Sequence, residues 1–273
     1  MKFTICSAVN DEDVLRSCLL SSPDLSNAGE IILPRGCVSA AKAYNAALAS
    51  AKNDIVILVH QDIYLPRGWF QQLESAIHSL EAIDPQWGVL GVYGITSSGI
   101  YHGHLYCNAS QIVLGRPFQE PTEVGSLDEV VLILRKSSGL RFDPEMKGFH
   151  FYAADICLTA RQRGLKNYAV PGFCFHNANG YGMFPRSFWQ GYFYIRRKWS
   201  ALLPVKTPCI EIKRSLWPFL RGTIWRFCWL KKAHRPLARR VENPAALCGS
   251  LIARLPQEAS ENVVICSSED KIV

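Results

Sequence analysis

Along the chain, short continuous apolar runs alternate with longer stretches of mixed apolar and polar positions. Residues 3–9 (FTICSAV) read as a buried strand, and residues 11–20 (DEDVLRSCLL) as a short helix with an acidic first turn. A second short strand is predicted at 30–34 (EIILP), then an alanine-rich helix at 38–52 with Ser39 as its N-cap. The strongest strand is 54–60 (DIVILVH), an unbroken apolar run of the kind a parallel sheet buries on both faces. A helix over about 67–82 comes next, then a strand at 87–95 (WGVLGVYGI). Beyond residue 100 the pattern predicts a hairpin in 102–115, a strand at 127–136 (LDEVVLILRK), a helix at 154–164 closed by Gly164, and a short strand in 166–172. Strands alternating with helices indicate an α/β fold built on a mostly parallel, Rossmann-like sheet flanked by helices.

Composition narrows this picture. The chain has 273 residues, 48% of them hydrophobic, enough to bury a sizeable core and too apolar for a disordered chain. The N-terminal apolar run is short and acids come directly after it, so a secretory signal is not expected. The ten cysteines are spread singly, several inside apolar runs and none in a CxxC pair. They read as buried free thiols of a cytoplasmic protein. The net charge of +7 is uneven: residues 1–185 carry 14 Lys/Arg against 17 Asp/Glu, and 186–254 carry 15 against only Glu211 and Glu242. We therefore expect a catalytic domain at 1–185, a basic, aromatic helical extension at 186–254, and a tail at 255–273.

In open α/β sheets ligands bind at the carboxyl ends of the strands, which directs attention to His60-Gln61-Asp62 after the strongest strand. A carboxylate there can hold a divalent ion against a diphosphate, or simply cap the next turn. A second constellation spans 141–180, with Asp155 at a helix start and His176 just past the next short strand. Both have ordinary structural uses, as a cap and as a hydrogen-bonded loop residue. His102, His104 and Cys107 have metal-like types but no second ligand cluster, and read as a hairpin surface. The sequon at 108–110 has no role in a cytoplasmic protein, and 177–182 (NANGYG) reads as a flexible turn series over the site.

The order of three pieces carries a resemblance. AKAYNAALASAKNDIVILVHQDIYLPRGWFQQL, LRFDPEMKGFHFYAADICLTARQRGLKNYAVPG and HNANG together resemble family 2 glycosyltransferases of the GT-A fold, and more closely their bacterial glycosyltransferase-like relatives. The likeness covers about residues 1–180. It implies a nucleotide-sugar donor, a divalent cation (Mn²⁺ or Mg²⁺) and transfer with inversion at the anomeric carbon. Asp62 falls on the last aspartate of the family's DxD motif and His60 replaces the first. The resemblance thus assigns Asp62 and His176 to the metal, with His60 a further ligand or a ribose or phosphate contact beside Gln61. Asp155 matches the closing aspartate of the acceptor-side motif, with Tyr152-Ala153 where the family has an acidic pair. It is the expected base, and Asp128, at a strand-start position near the acceptor, is the reserve. Ser7 and Asn10 come after the first strand, where the family reads the base. Lys42 and Asn45 share one face of the second helix and are further donor candidates.

The basic block interleaves Trp and Phe with Lys and Arg. Residues 213–235 suit a helix lying on an anionic bilayer, broken at Pro218, better than they suit nucleic acid, and equally suit aromatics packed on the catalytic domain. A membrane-surface position fits an acceptor that is a glycan or lipid-linked precursor of the cell envelope. Two other functions stay open: a non-catalytic basic module on a degenerate transferase domain, and a nucleotidyltransferase. The second normally shows a Gly-rich loop after the first strand, which SAVNDEDVLRS lacks.

Overall fold

In a computed structural model, residues 1–180, 184–217 and 237–258 are described. The segment 218–236, with most of the candidate interfacial helix, and the tail beyond 258 lie outside the described residues. The strands in chain order are β1 (Phe3–Cys6), β2 (Glu30–Ile32), β3 (Ile55–Val59), β4 (Ile63–Tyr64), β5 (Val89–Gly91), β6 (Tyr93–Ile95), β7 (Tyr101–Cys107), β8 (Ile112–Gly115), β9 (Thr122–Val124), β10 (Ser126–Leu127), β11 (Val131–Arg135), β12 (Asn167–Ala169), β13 (Cys174–His176), β14 (Val205–Lys206) and β15 (Glu211–Ile212). The helices are α1 (Glu12–Ser17), α2 (Ala40–Ser50), α3 (Trp69–Glu81), α4 (Tyr152–Gln162), α5 (Arg186–Lys198) and α6 (Pro244–Glu258).

A seven-stranded sheet of order β2-β1-β3-β11-β5-β12-β9 forms the centre. It is mixed rather than mostly parallel. β1 pairs in parallel with β2 and β3, and β12 with β5, whereas β11 runs antiparallel to both β3 and β5. The unbroken apolar run of β3 now has its reason. Ile55, Ile57 and Val59 face a core shared with Trp69, Leu73 and Ile77 of α3. Val56 and Leu58 face the opposite core, with Tyr44 and Leu48 of α2 and Ile156 of α4. Alternate side chains leave a strand on opposite faces, so a strand covered by helices on both sides must be apolar throughout.

Two runs read as single strands are each split between sheets. Residues 87–95 divide at Val92, β5 staying in the central sheet while β6 joins a six-stranded sheet of order β10-β6-β7-β13-β4, with β8 added beside β7. The crossing is tight: a Cβ on Gly103 (φ 142°) would lie 2.4 Å from the Val92 carbonyl oxygen. Residues 127–136 likewise divide, and the break leaves Asp128 and Glu129 in a loop between β10 and β11. The 101–115 hairpin forms as expected, but His104 is buried against Phe173, with ring centroids 4.6 Å apart, instead of lying on its surface.

The boundary expected at residue 185 does not coincide with an edge of the core. Phe188, Tyr192 and Ile195, spaced along one face of α5, share a core with α2 and α4, as do Trp199, Leu203, Val205 and Ile212. The cations of this stretch occupy the other positions. Trp217, the last residue before the undescribed segment, is 72% exposed. Among the described residues no helix is long and apolar enough to cross a membrane.

Candidate active site

The turn after β3 carries the candidate site. The His60 N–H bonds the Val130 carbonyl at 3.0 Å, and the Ile63 N–H closes the turn onto the His60 carbonyl at 3.2 Å. β4 then runs antiparallel to β13, with Ile63 opposite His176. This pairing, sealed by the Asn177 N–H on the Asp62 carbonyl at 2.8 Å, brings together residues more than a hundred positions apart. Ligand-capable atoms of His60, Asp62 and His176 all lie within 4.8 Å of one another. The Asp62 carboxylate, itself buried, has His176 Nε2 at 3.5 Å on one oxygen and Arg240 Nη2 at 3.3 Å on the other.

The electrostatics derive from this crowding. Burial alone would raise the Asp62 carboxyl, but the charge and hydrogen bond of His176, with His60 and Arg240, hold it well below the usual carboxylate range. Burial would make His176 less basic, yet Asp62 and, on its other side, Cys107 push it up to about 10. His60 moves the opposite way, lowered chiefly by burial. Its tautomer can be derived. The Tyr152 hydroxyl lies 2.8 Å from His60 Nε2 and donates its one proton to the Glu129 carbonyl at 2.9 Å. Toward His60 the phenol oxygen must therefore accept, so Nε2 carries the ring proton and Nδ1 the lone pair. Tyr152 thus fixes a neutral imidazole whose free nitrogen can serve as a ligand.

The other expected residues fall into two groups. Gln61 reaches back to the end of β1, its Oε1 accepting the N–H groups of Asn10 at 2.9 Å and Asp11 at 3.2 Å, and its amide donating to Asn10 Oδ1. Ser7 lies beside them, buried, its hydroxyl without a protein partner. Asp128 is half-buried in the β10–β11 loop, its negative charge felt at His60; one oxygen caps the Val130 N–H at 3.1 Å. Lys42 is exposed on the first turn of α2.

Asn45 and Asp155 have different settings. Asn45 brackets the Phe142 backbone through both ends of its amide, at 2.8 and 2.9 Å, which ties α2 to the 142 loop rather than presenting the amide to a donor. Asp155, the base that the resemblance implied, is buried with its carboxylate held by Lys198 Nζ at 2.8 Å and Trp199 Nε1 at 2.7 Å. Lys198 also binds Asp143 at 2.6 Å. Asp155 therefore anchors α5 to α4, and a proton on it would break a buried ion pair. Two residues that sequence reasoning missed are Tyr152 and Arg240. Tyr152 was legible only as the departure from an acidic pair, and Arg240 was one of many cations in the basic block.

The fold is mixed α/β, and the His-Asp-His cluster stands at the carboxyl end of a central strand, where such sheets bind ligands. Residues 4–178 match the model of the glycosyltransferase-like family, and the chain belongs to that family. Over 132 residues it is 33% identical to the "ATP synthase subunits region ORF 6" protein of Fuscovulum blasticum, a match covering 45% of this chain and about half (51%) of that relative. Among solved structures it is similar to GalNAc-T7 with UDP, GalNAc and Mn²⁺ (11% identity, TM-score 0.47, covering 87% of this chain and 58% of that one). It is also similar to Staphylococcus aureus TarS 1-349 (12%, 0.41, 86% and 72%) and to the mannosyltransferase PcManGT of Pyrobaculum calidifontis with GDP-Man and Mn²⁺ (13%, 0.43, 96% and 76%).

Proposed function

We propose that this chain transfers a sugar, with inversion, from a nucleotide-sugar donor to an acceptor hydroxyl, using a divalent cation held by His60, Asp62 and His176, the last giving up its ring proton as the ion binds. The observation that carries this reading is the convergence of those three side chains at the end of β3 in a glycosyltransferase-like chain. Two imidazoles beside one carboxylate suit a first-row transition ion better than Mg²⁺, which prefers oxygen, so of the two expected cations Mn²⁺ is the favoured one. Such an ion, when bound, supplies a Lewis acid that eases departure of the nucleoside diphosphate.

The chain's own groups do the rest. The hydrogen-bonded Asn10 and Gln61, with the unpartnered hydroxyl of Ser7 at the end of β1, fit the nucleoside, and Lys42 the donor's negative charge. The acceptor oxygen bonds to the anomeric carbon as the bond from that carbon to the diphosphate oxygen breaks, and the electron pair leaves with the nucleoside diphosphate. The hydroxyl proton passes to a carboxylate. We place that role on Asp128, which is half-buried, acts on His60 through its charge, and has one oxygen on the Val130 N–H and the Cys209 thiol 4.0 Å from the other, whereas the Asp155 carboxylate is held by Lys198 and Trp199. An envelope glycan or lipid-linked acceptor, met at the cytoplasmic membrane face, is consistent with exposed Trp217 at the head of the basic aromatic stretch.

The test is a thermal-shift screen of UDP-, GDP-, CMP- and dTDP-sugars with and without Mn²⁺, and then an assay for release of the nucleoside diphosphate. Stabilisation by one nucleotide-sugar class in the presence of Mn²⁺, lost in Asp62→Asn, is the expected result. Asp128→Asn should lose about 10²–10⁴-fold in transfer while keeping donor binding. Stabilisation by nucleoside triphosphates alone would favour a nucleotidyltransferase, and no response to any nucleotide a non-catalytic binding module.

A further inference from the structure

Arg240 reaches Asp62 from the far end of the chain, and it is delivered by a tethered strap. The backbone of residues 238–241 is held by the loop after β13 and the turn after β7. Asn177 grips Val241 with both ends of its amide, each at 2.9 Å. Asn179 Oδ1 accepts the Arg240 N–H at 2.9 Å, and Asn108 donates to the Arg239 carbonyl at 2.8 Å. The Gly180 N–H donates to the Ala238 carbonyl at 2.8 Å. A Cβ on Gly180 would stand 3.0 Å from the Ala238 nitrogen, so the two backbones are in close contact. The side chain is then aimed, Nε donating to the Asn177 carbonyl at 3.1 Å while Nη2 meets Asp62.

Three asparagines, two of them buried, thus spend their hydrogen bonds on a segment that sends one cation to the site. The Arg240 side chain remains about one-third exposed (32%), and of its fork Nε and Nη2 are engaged among the described residues, which leaves Nη1 open to a ligand. Neutralising Asp62, which His176 already faces, is a weak reason for such a tether. A fork of N–H donors held beside a carboxylate that can take a cation is, by contrast, the arrangement that grips a diphosphate bidentately.

We propose that Arg240 is the site's diphosphate-binding cation, parked on Asp62 in the free protein and passed to the donor's diphosphate oxygens when metal and donor arrive. The inference rests on the transferase reading and adds a residue to it. Arg240 and the metal share Asp62, so they compete when no diphosphate is present and cooperate when one is.

The measurement is calorimetric binding of Mn²⁺ alone, and of inorganic pyrophosphate with Mn²⁺ present, to the full chain and to Arg240→Ala, Arg240→Lys and Asn179→Ala. Because the strap is held by main-chain atoms of 238–241 and His176 still faces Asp62, the Arg240 variants should keep the fold, which circular dichroism and the melting curve check. Arg240→Ala should bind Mn²⁺ alone at least as tightly as the unaltered chain, and pyrophosphate at least 10-fold more weakly. Arg240→Lys should recover part of the loss, and Asn179→Ala should lose pyrophosphate affinity with Arg240 still present. Unchanged pyrophosphate binding in Arg240→Ala overturns the proposal, and tighter binding of both ligands would make Arg240 an inhibitory plug. If the unaltered chain binds no pyrophosphate, the proposal also fails. Release of a nucleoside diphosphate from nucleotide-sugars tests the underlying transferase reading separately.

Discussion

The resemblance to the family puts His60 where its motif has an aspartate, and at the scale of single residues that exchange would reshape the site. A neutral imidazole brings a nitrogen donor and one less negative charge, and it needs a partner to fix its tautomer. Tyr152 is that partner, through hydrogen bonds of 2.8 Å to His60 and 2.9 Å to the Glu129 carbonyl. Tyr152→Phe should therefore lower Mn²⁺ affinity about 10-fold without displacing His60 from the chain turn, the usual effect of removing a group that orients a ligand. Calorimetry with Mn²⁺ checks this, and an unchanged affinity would remove Tyr152 from the site. Asp155 is predicted to act on stability instead. Asp155→Ala strands Lys198 beside Trp199, and losing one partner of a buried pair costs about 3 kcal/mol. The second partner, Asp143, keeps the cost near the low end of that class of change. Urea denaturation measures it. Asp62 was legible from its place after the strongest strand. The ion pair of Asp155 was not, because Lys198 lies 43 positions away and only packing unites them.

At the scale of elements, local signals placed most helices and strands. Ser39 caps α2 as its position suggested, its hydroxyl accepting the Lys42 N–H at 3.3 Å. Gly164 takes the left-handed conformation after α4, with φ 79°. Local signals could not show the division of two apolar runs between sheets, since periodicity reports burial but not against which layer. The same blindness misjudged His104. It lies on the buried face of β7 against Phe173 with Nε2 unpartnered, and burial lowers it to about 4 from an ordinary value near 6.5. A histidine less basic when folded leaves stability intact above the unfolded value and removes it as pH falls, because the unfolded chain takes up the proton first. The loss should run between about pH 6.5 and 4, reaching about 1–3 kcal/mol. Denaturation midpoints at pH 7 and 4.5 should converge in His104→Phe relative to the unaltered chain. Equal acid sensitivity in both would acquit His104.

At the scale of the whole molecule, charge and packing draw different maps. The charge map breaks after residue 185, yet the core continues through Phe188, Tyr192, Ile195 and Trp199 to Ile212. A fragment of residues 1–185 should therefore expose the faces of α2 and α4 that α5 covers, and melt without a cooperative transition. A fragment of 1–185 melting as sharply as the full chain would establish the charge boundary as a folding boundary. The second sheet depends on the chain's later part in the same way. Tyr64, Tyr106, Phe173 and Phe175 form a cluster closed by Cys248 of α6, so α6 and the Arg240 strap before it are fastened to the site-bearing layer.

By itself the sequence determined the α/β class, the two-faced burial of β3 and the turn bearing His60, Gln61 and Asp62, because these depend on periodicity and on the residues directly after a strand. Only the tertiary structure decided which distant groups meet that turn. Pairing of β4 with β13 brought in His176, and a strap held by three asparagines brought in Arg240. Packing of α5 set Lys198 and Trp199 against the Asp155 carboxylate. Sequence spacing encodes the behaviour of neighbours along the chain, whereas the charge that faces Asp62 is fixed by hydrogen bonds closing a loop of 178 residues.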